Sequence, residues 1–108
     1  MPFHRSEEHN PVQMFPGVTR RLISAGERTM AVRIDLAPGS RVPRHSHPHE
    51  QVGYVASGRM RLTIGEESRL LGTGEGYSIP SGVEHSVDEV PESCVAIDIF
   101  SPVREEYL

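Results

Sequence analysis

Glycine and proline cut this chain into short pieces. With ten glycines and nine prolines in 108 residues, turn signals recur about every 8 to 12 residues and leave little room for a helix of ten or more. Between the signals apolar residues alternate with polar ones. Met30, Val32, Ile34 and Leu36 share one side of a segment whose other side carries mainly Thr29, Arg33 and Asp35. Residues 59–64 repeat the pattern, with Met60, Leu62 and Ile64 inward and Arg59, Arg61 and Thr63 outward. A period of two marks a half-buried strand. Roughly nine short strands follow from this reading, and with them an all-β sandwich or barrel. Gly58 is read as a turn between two of them, and residues 85–90 and 93–100 as separate strands.

The same reading divides the chain in two. Residues 1–18 form a proline-punctuated arm, in which Val12, Met14 and Phe15 are too apolar for a free tail and suit packing on a partner subunit. Residues 19–108 form a single domain with a modest core. In the last strand Val95, Ile97 and Ile99 make one apolar face, while Cys94, Ala96, Asp98 and Phe100 line the other. A strand apolar on both faces is normally covered on both. In a domain this short the second cover is expected to be another copy, giving a two-fold homodimer.

Charge and cysteine content narrow the function classes. The formal charge is −4, every basic residue is arginine, and no arginine run marks a phosphate-tracking stripe, so nucleic acid is not an expected partner. The chain shows no signal peptide and no apolar run of about 20 residues, so no membrane partner is expected. Cys94 is the single cysteine, which excludes an intrachain disulfide and points to the cytoplasm. Cys94 lies in an apolar strand and reads as a buried, inert thiol.

The chemistry concentrates between Gly39 and Gly58. His45 and His47 stand two apart, so both imidazoles can face one side of an extended segment. Gln51 follows beyond Pro48, and His85 comes after the turn signal Pro80-Ser81-Gly82. Three imidazoles and an amide oxygen make a mostly nitrogen site suited to one divalent transition metal: nickel, zinc, iron or manganese. His49 shares the parity of His47, but Pro48 breaks the geometry and leaves it a rim position. Gly53 marks a place where another group approaches the backbone closely.

These residues fall into two motifs. The first runs Gly39, His45, His47, Gln51, Gly58, and the second Gly74, Pro80, Gly82, His85, Glu89. Together they resemble the cupin superfamily, which implies a small jelly-roll β-barrel (a double-stranded β-helix) with a metal in its mouth. Gln51 stands where cupins usually carry glutamate. A neutral carbonyl oxygen there leaves the metal more positive charge, which favours electrophilic chemistry over oxygen activation.

A narrower likeness rests on His45-Ser-His-Pro-His-Glu-Gln51 and on the tail from Asp98 to Tyr107. It is similar to the small cupins of pectin and alginate breakdown, which convert 4,5-unsaturated monouronates to linear keto sugars. The resemblance implies His45, His47, Gln51 and His85 as metal ligands. It also implies Asp98, Phe100 and Arg104 as pocket residues, with Asp98 and Arg104 catalytic. Tyr77 is a further candidate for the cavity wall, whereas Arg61 lies on the outward side of its strand. Alternative readings of the same ligand set are a cupin dioxygenase, a sugar isomerase and a non-enzymatic binder of small acids.

Overall fold

The alternation read from the sequence becomes burial. In β3 (Met30–Leu36) Met30, Val32, Ile34 and Leu36 are buried and Arg33 is exposed. In β5 (Glu50–Ile64) Met60 and Leu62 point into the core, while Arg61 faces out and pairs with Glu89 at 3.1 Å. The computed structural model describes residues 2–108. Its other strands are β1 (Val12–Phe15), β2 (Val18–Ala25), β4 (Val42–His45), β6 (Glu67–Gly72), β7 (Gly76–Ile79) and β8 (His85–Ser101). Among the described residues the helical elements are two three-residue 3-10 turns, Ser6–Glu8 and Glu105–Tyr107.

The jelly-roll β-barrel expected from the sequence does not form. The strands make one eight-stranded sheet whose hydrogen-bonded path runs β1-β2-β3-β8-β5-β6, with β4 on β8 and β7 on β5. The path ends at β1 and β6 and is not closed. All pairings are antiparallel. The reason lies in the two long strands. One half of β5 pairs with β7 and the other with β6. In the same way β8 takes β4 on its first half and β3 on its second. Each pair of short strands therefore occupies different stretches of its long neighbour, and the sheet stays open there.

The strand count also changes, from roughly nine short strands to eight, two of them 15 and 17 residues long. Residues 85–90 and 93–100 belong to one continuous β8. Gly58 is not a turn but a kink inside β5, where the register with β8 shifts on either side. Its φ of 79° lies in the left-handed region. A Cβ there would run into the Ser93 carbonyl oxygen and the Cys94 backbone of β8. Glycine at this position thus satisfies both a conformational and a packing demand.

The core gathers on the inner face of the bent sheet, from Val18 and Met30 through Val55 and Met60 to Cys94 and Phe100. Burial pushes the Cys94 thiol up to about 11, so it stays protonated and inert at neutral pH. No helix among the described residues is long and apolar enough to cross a membrane.

Gly58→Ala is expected to destabilise the fold by about 3 kcal/mol, combining a left-handed φ with a backbone clash. A fall in the urea midpoint at unchanged slope would show it. Cys94 should resist alkylation in the native protein at pH 8 and react only under denaturing conditions.

Candidate functional site

Three strands and two loops bring the site together. The β4–β8 register sets His45 opposite His85. The loop after β4 is stitched to the turn before β8. The Gly82 amide donates to the His47 carbonyl at 2.9 Å, and the Ser81 hydroxyl to the Pro48 carbonyl at 2.5 Å. His47 lies past the end of β4, so a bend rather than strand alternation turns its ring inward. One ring nitrogen from each of His45, His47 and His85 lies within 4.8 Å of the other two. The His45 and His85 rings are 4.2 Å apart, and the His47 and His85 rings 5.0 Å apart.

Their hydrogen bonds assign the tautomers. Nδ1 of His45, His47 and His85 donates to the carbonyls of Pro43, His49 and Val83 at 2.8, 2.9 and 2.9 Å. Each Nε2 therefore carries a lone pair. Burial lowers the pKa of His47 and takes His85 down to about 4, which keeps both rings neutral at pH 7. His85 Nε2 is buried with no hydrogen-bond partner. His47 Nε2 faces Gln51 Oε1 at 3.1 Å, two acceptors pointed at each other. Buried lone pairs in this arrangement are short of a cation, and three imidazoles with an amide oxygen fit a divalent metal.

Asp98 lies behind Gln51. In the sheet Gly53 of β5 stands between Asp98 of β8 and Tyr77 of β7. The Tyr77 hydroxyl donates to Asp98 Oδ1 at 2.5 Å, across the gap that glycine leaves open. A Cβ at Gly53 would meet the Asp98 carboxylate, the Tyr77 hydroxyl and the Ile97 carbonyl. The close approach inferred at Gly53 is therefore this hydrogen-bonded pair. Burial raises Asp98 to about 6, opposed by hydrogen bonds from Tyr77 and Gln51 and by the charge of Arg104. Tyr77 is held well above its usual range by burial and by the neighbouring carboxylate.

The cavity in front of these groups is lined by His45, Gln51, His85 and Asp98, with Phe100 and Arg104 at its end. The Phe100 ring packs edge-on against His47 at 5.7 Å. The Arg104 side chain is only 13% exposed although charged. Its Nε is buried without a hydrogen-bond partner, and Glu106 stands 3.7 Å off, too far for one. Arg61, on the outer face, takes no part.

Residues 32–100 match the family model described as the Cupin domain. The chain belongs to the cupin family. The motif spacing that suggested a cupin therefore holds, although the barrel usually associated with it does not. This cupin is 36% identical over 93 residues to the pectin degradation protein KdgF of Dickeya dadantii (strain 3937), a match covering 85% of this chain and 84% of that one. The structure of KdgF from Halomonas sp. superposes with a TM-score of 0.91 at 28% identity, covering 100% of this chain and 99% of the other. An RmlC-like cupin from Shewanella frigidimarina NCIMB 400 gives the same TM-score and identity, with 100% and 96% covered.

Two lining residues escape a sequence reading. Met14 reaches the cavity from β1, and Tyr107 from the C-terminal turn. Met14 sits in no motif and Tyr107 only closes the tail likeness without a role; each is delivered by a segment distant in sequence from the histidines.

His85→Ala is expected to abolish stoichiometric binding of a divalent metal, measured by calorimetry and elemental analysis. His49→Ala should retain it, because the His49 carbonyl that fixes His47 Nδ1 belongs to the backbone and survives the substitution. Gly53→Ala should separate Tyr77 from Asp98, visible as a downfield-to-upfield loss of the hydrogen-bonded tyrosine hydroxyl proton in NMR spectra.

Proposed function

We propose that this cupin converts 4,5-unsaturated monouronates, of the kind released in pectin and alginate breakdown, into linear keto-uronates. The observation that carries the reading is a buried aspartate and a largely buried arginine lining one cavity with His45 and His85, two members of a three-histidine cluster able to hold a metal. Likeness to KdgF over most of both chains supports the substrate class. We assign His45, His47, Gln51 and His85 as the metal ligands.

The substrate is a cyclic enol ether carrying a carboxylate and a free anomeric hydroxyl. Opening the hemiacetal removes the proton of that hydroxyl, breaks the ring C–O bond and leaves an aldehyde and an enol. Moving the enol proton to the neighbouring alkene carbon gives the ketone. The sequence is an isomerisation, with no oxidant consumed and no atoms gained. A divalent cation held by the four ligands supplies a Lewis acid that favours negative charge on substrate oxygens.

The protein's own residues do the rest. Asp98 takes the proton of the anomeric hydroxyl and delivers it to the ring oxygen as the enol forms, then carries the enol proton to the alkene carbon, alternating as general base and general acid. Tyr77 fixes the orientation of that carboxylate through its hydroxyl. The Arg104 guanidinium pairs with the substrate carboxylate, and its planar fork matches two carboxylate oxygens at once. Phe100 forms an apolar wall that keeps water from the ring.

The outer face of the sheet supports a second assignment, a two-fold homodimer. Val52 and Tyr54 are 41% and 47% exposed there, and they sit beside Ile99 and Ile97 in the β5–β8 register. Light scattering should return twice the mass of the chain, and Val52→Asp should return one.

With lyase-generated unsaturated monouronate the enzyme should accelerate loss of the enol absorbance, and a chelator should abolish the acceleration. A rate no faster than the spontaneous one would remove this reading. Asp98→Asn is expected to lower kcat by about 10²- to 10⁴-fold. Arg104→Lys should raise KM by about tenfold, since an ammonium cannot form the paired contact.

A further inference from the structure

Arg104 is held in an unusual way for a buried cation. Its Nε has no hydrogen-bond partner; the exposed Glu106 carboxylate stands 3.7 Å away, and two aromatic rings flank the guanidinium. Its Cζ lies 4.1 Å from the Tyr107 ring centroid and 5.1 Å from that of Phe100. Those two rings pack edge-on at 5.6 Å. Tyr107 is in turn occupied by a second cation, with Arg20 Cζ 4.4 Å from the same centroid. Arg20 Nη2 also donates to the Glu106 carbonyl at 3.3 Å, tying β2 to the C-terminal turn.

From this chain of contacts we propose that Tyr107 and Arg20 are positioning residues that aim the Arg104 guanidinium at the substrate carboxylate. The inference rests on the uronate reading above. Stacking occupies the face of a guanidinium and leaves its in-plane N–H donors free. A hydrogen-bonded ion pair would hold Arg104 by the very donors the substrate needs, and Glu106 at 3.7 Å is too far to form one. A ring holds it without using them. Tyr107 lines both the cavity and an outer cleft that includes Arg20, Leu22 and Leu108. Its position therefore depends on the contacts of Arg20, outside the cavity. Two arginines on one ring also make this end of the cavity electropositive, which favours an anionic ligand.

The test compares Tyr107→Leu, Tyr107→Phe and Arg20→Met in the metal-loaded enzyme. Tyr107→Leu keeps apolar bulk but removes the ring, and KM for unsaturated monouronate should rise about tenfold with kcat within about twofold. Tyr107→Phe keeps the ring and should restore KM to near the wild-type value. Arg20→Met should raise KM by a smaller factor, with metal content unchanged. The Arg104 Nε–H resonance gives a readout independent of turnover. Stacking on Tyr107 should shift it upfield in the wild type, and Tyr107→Leu should return it toward the free arginine position. Wild-type KM and an unmoved resonance in Tyr107→Leu would overturn the proposal, as would equal losses of kcat and metal. If wild-type enzyme does not turn the substrate over, the functional reading fails, and the resonance alone then decides whether Tyr107 positions Arg104.

Discussion

The antiparallel pairing of β5 with β8 is the interaction on which the rest depends. It sets Gln51 opposite Phe100 and Gly53 opposite Asp98. A slip of β8 by one residue would turn Asp98 and Phe100 to the outer face, because side chains alternate with a period of two. The same register buries Val55 and Ala96 together and leaves Val52 and Tyr54 outside. Core and site are thus products of one alignment.

Burial gives the cavity its chemical character. The three imidazoles commit their Nδ1 protons to backbone carbonyls and leave Nε2 to face the cluster. A buried carboxylate would be costly alone, and here it receives a tyrosine hydroxyl across the space left by a glycine. A buried guanidinium is tolerated because two aromatic faces surround it. Each polar group is stabilised by a partner that leaves its reactive side open to the cavity.

The sequence made much of the site legible. His45, His47 and His85 were singled out by spacing, and they cluster. Asp98 was placed on one strand face with Phe100 and implied as a pocket residue, and it is buried beside Gln51. Gly53 was flagged without a partner, and the Tyr77–Asp98 pair supplies one. Arg20 left no comparable sign, and Tyr107 entered only as the last residue of the tail likeness. They lie 87 positions apart, more than the 86 that separate Arg20 from the Glu106 carbonyl it contacts, and no local pattern records an encounter of that range.

What the amino-acid order determined unaided was that the chain is built of strands, which face of the alternating segments 30–36 and 59–64 is buried, and the identity of the residues able to bind a cation. These follow from alternation, turn chemistry and side-chain type, all of which act within a few residues. Tertiary structure decided that the sheet stays open and that residues 50–64 and 85–101 each run through as one strand. It also decided which aromatic rings hold Arg104. Those outcomes depend on how two long strands bend past each other and on contacts between distant segments, where the free energy lies in packing rather than in local preference.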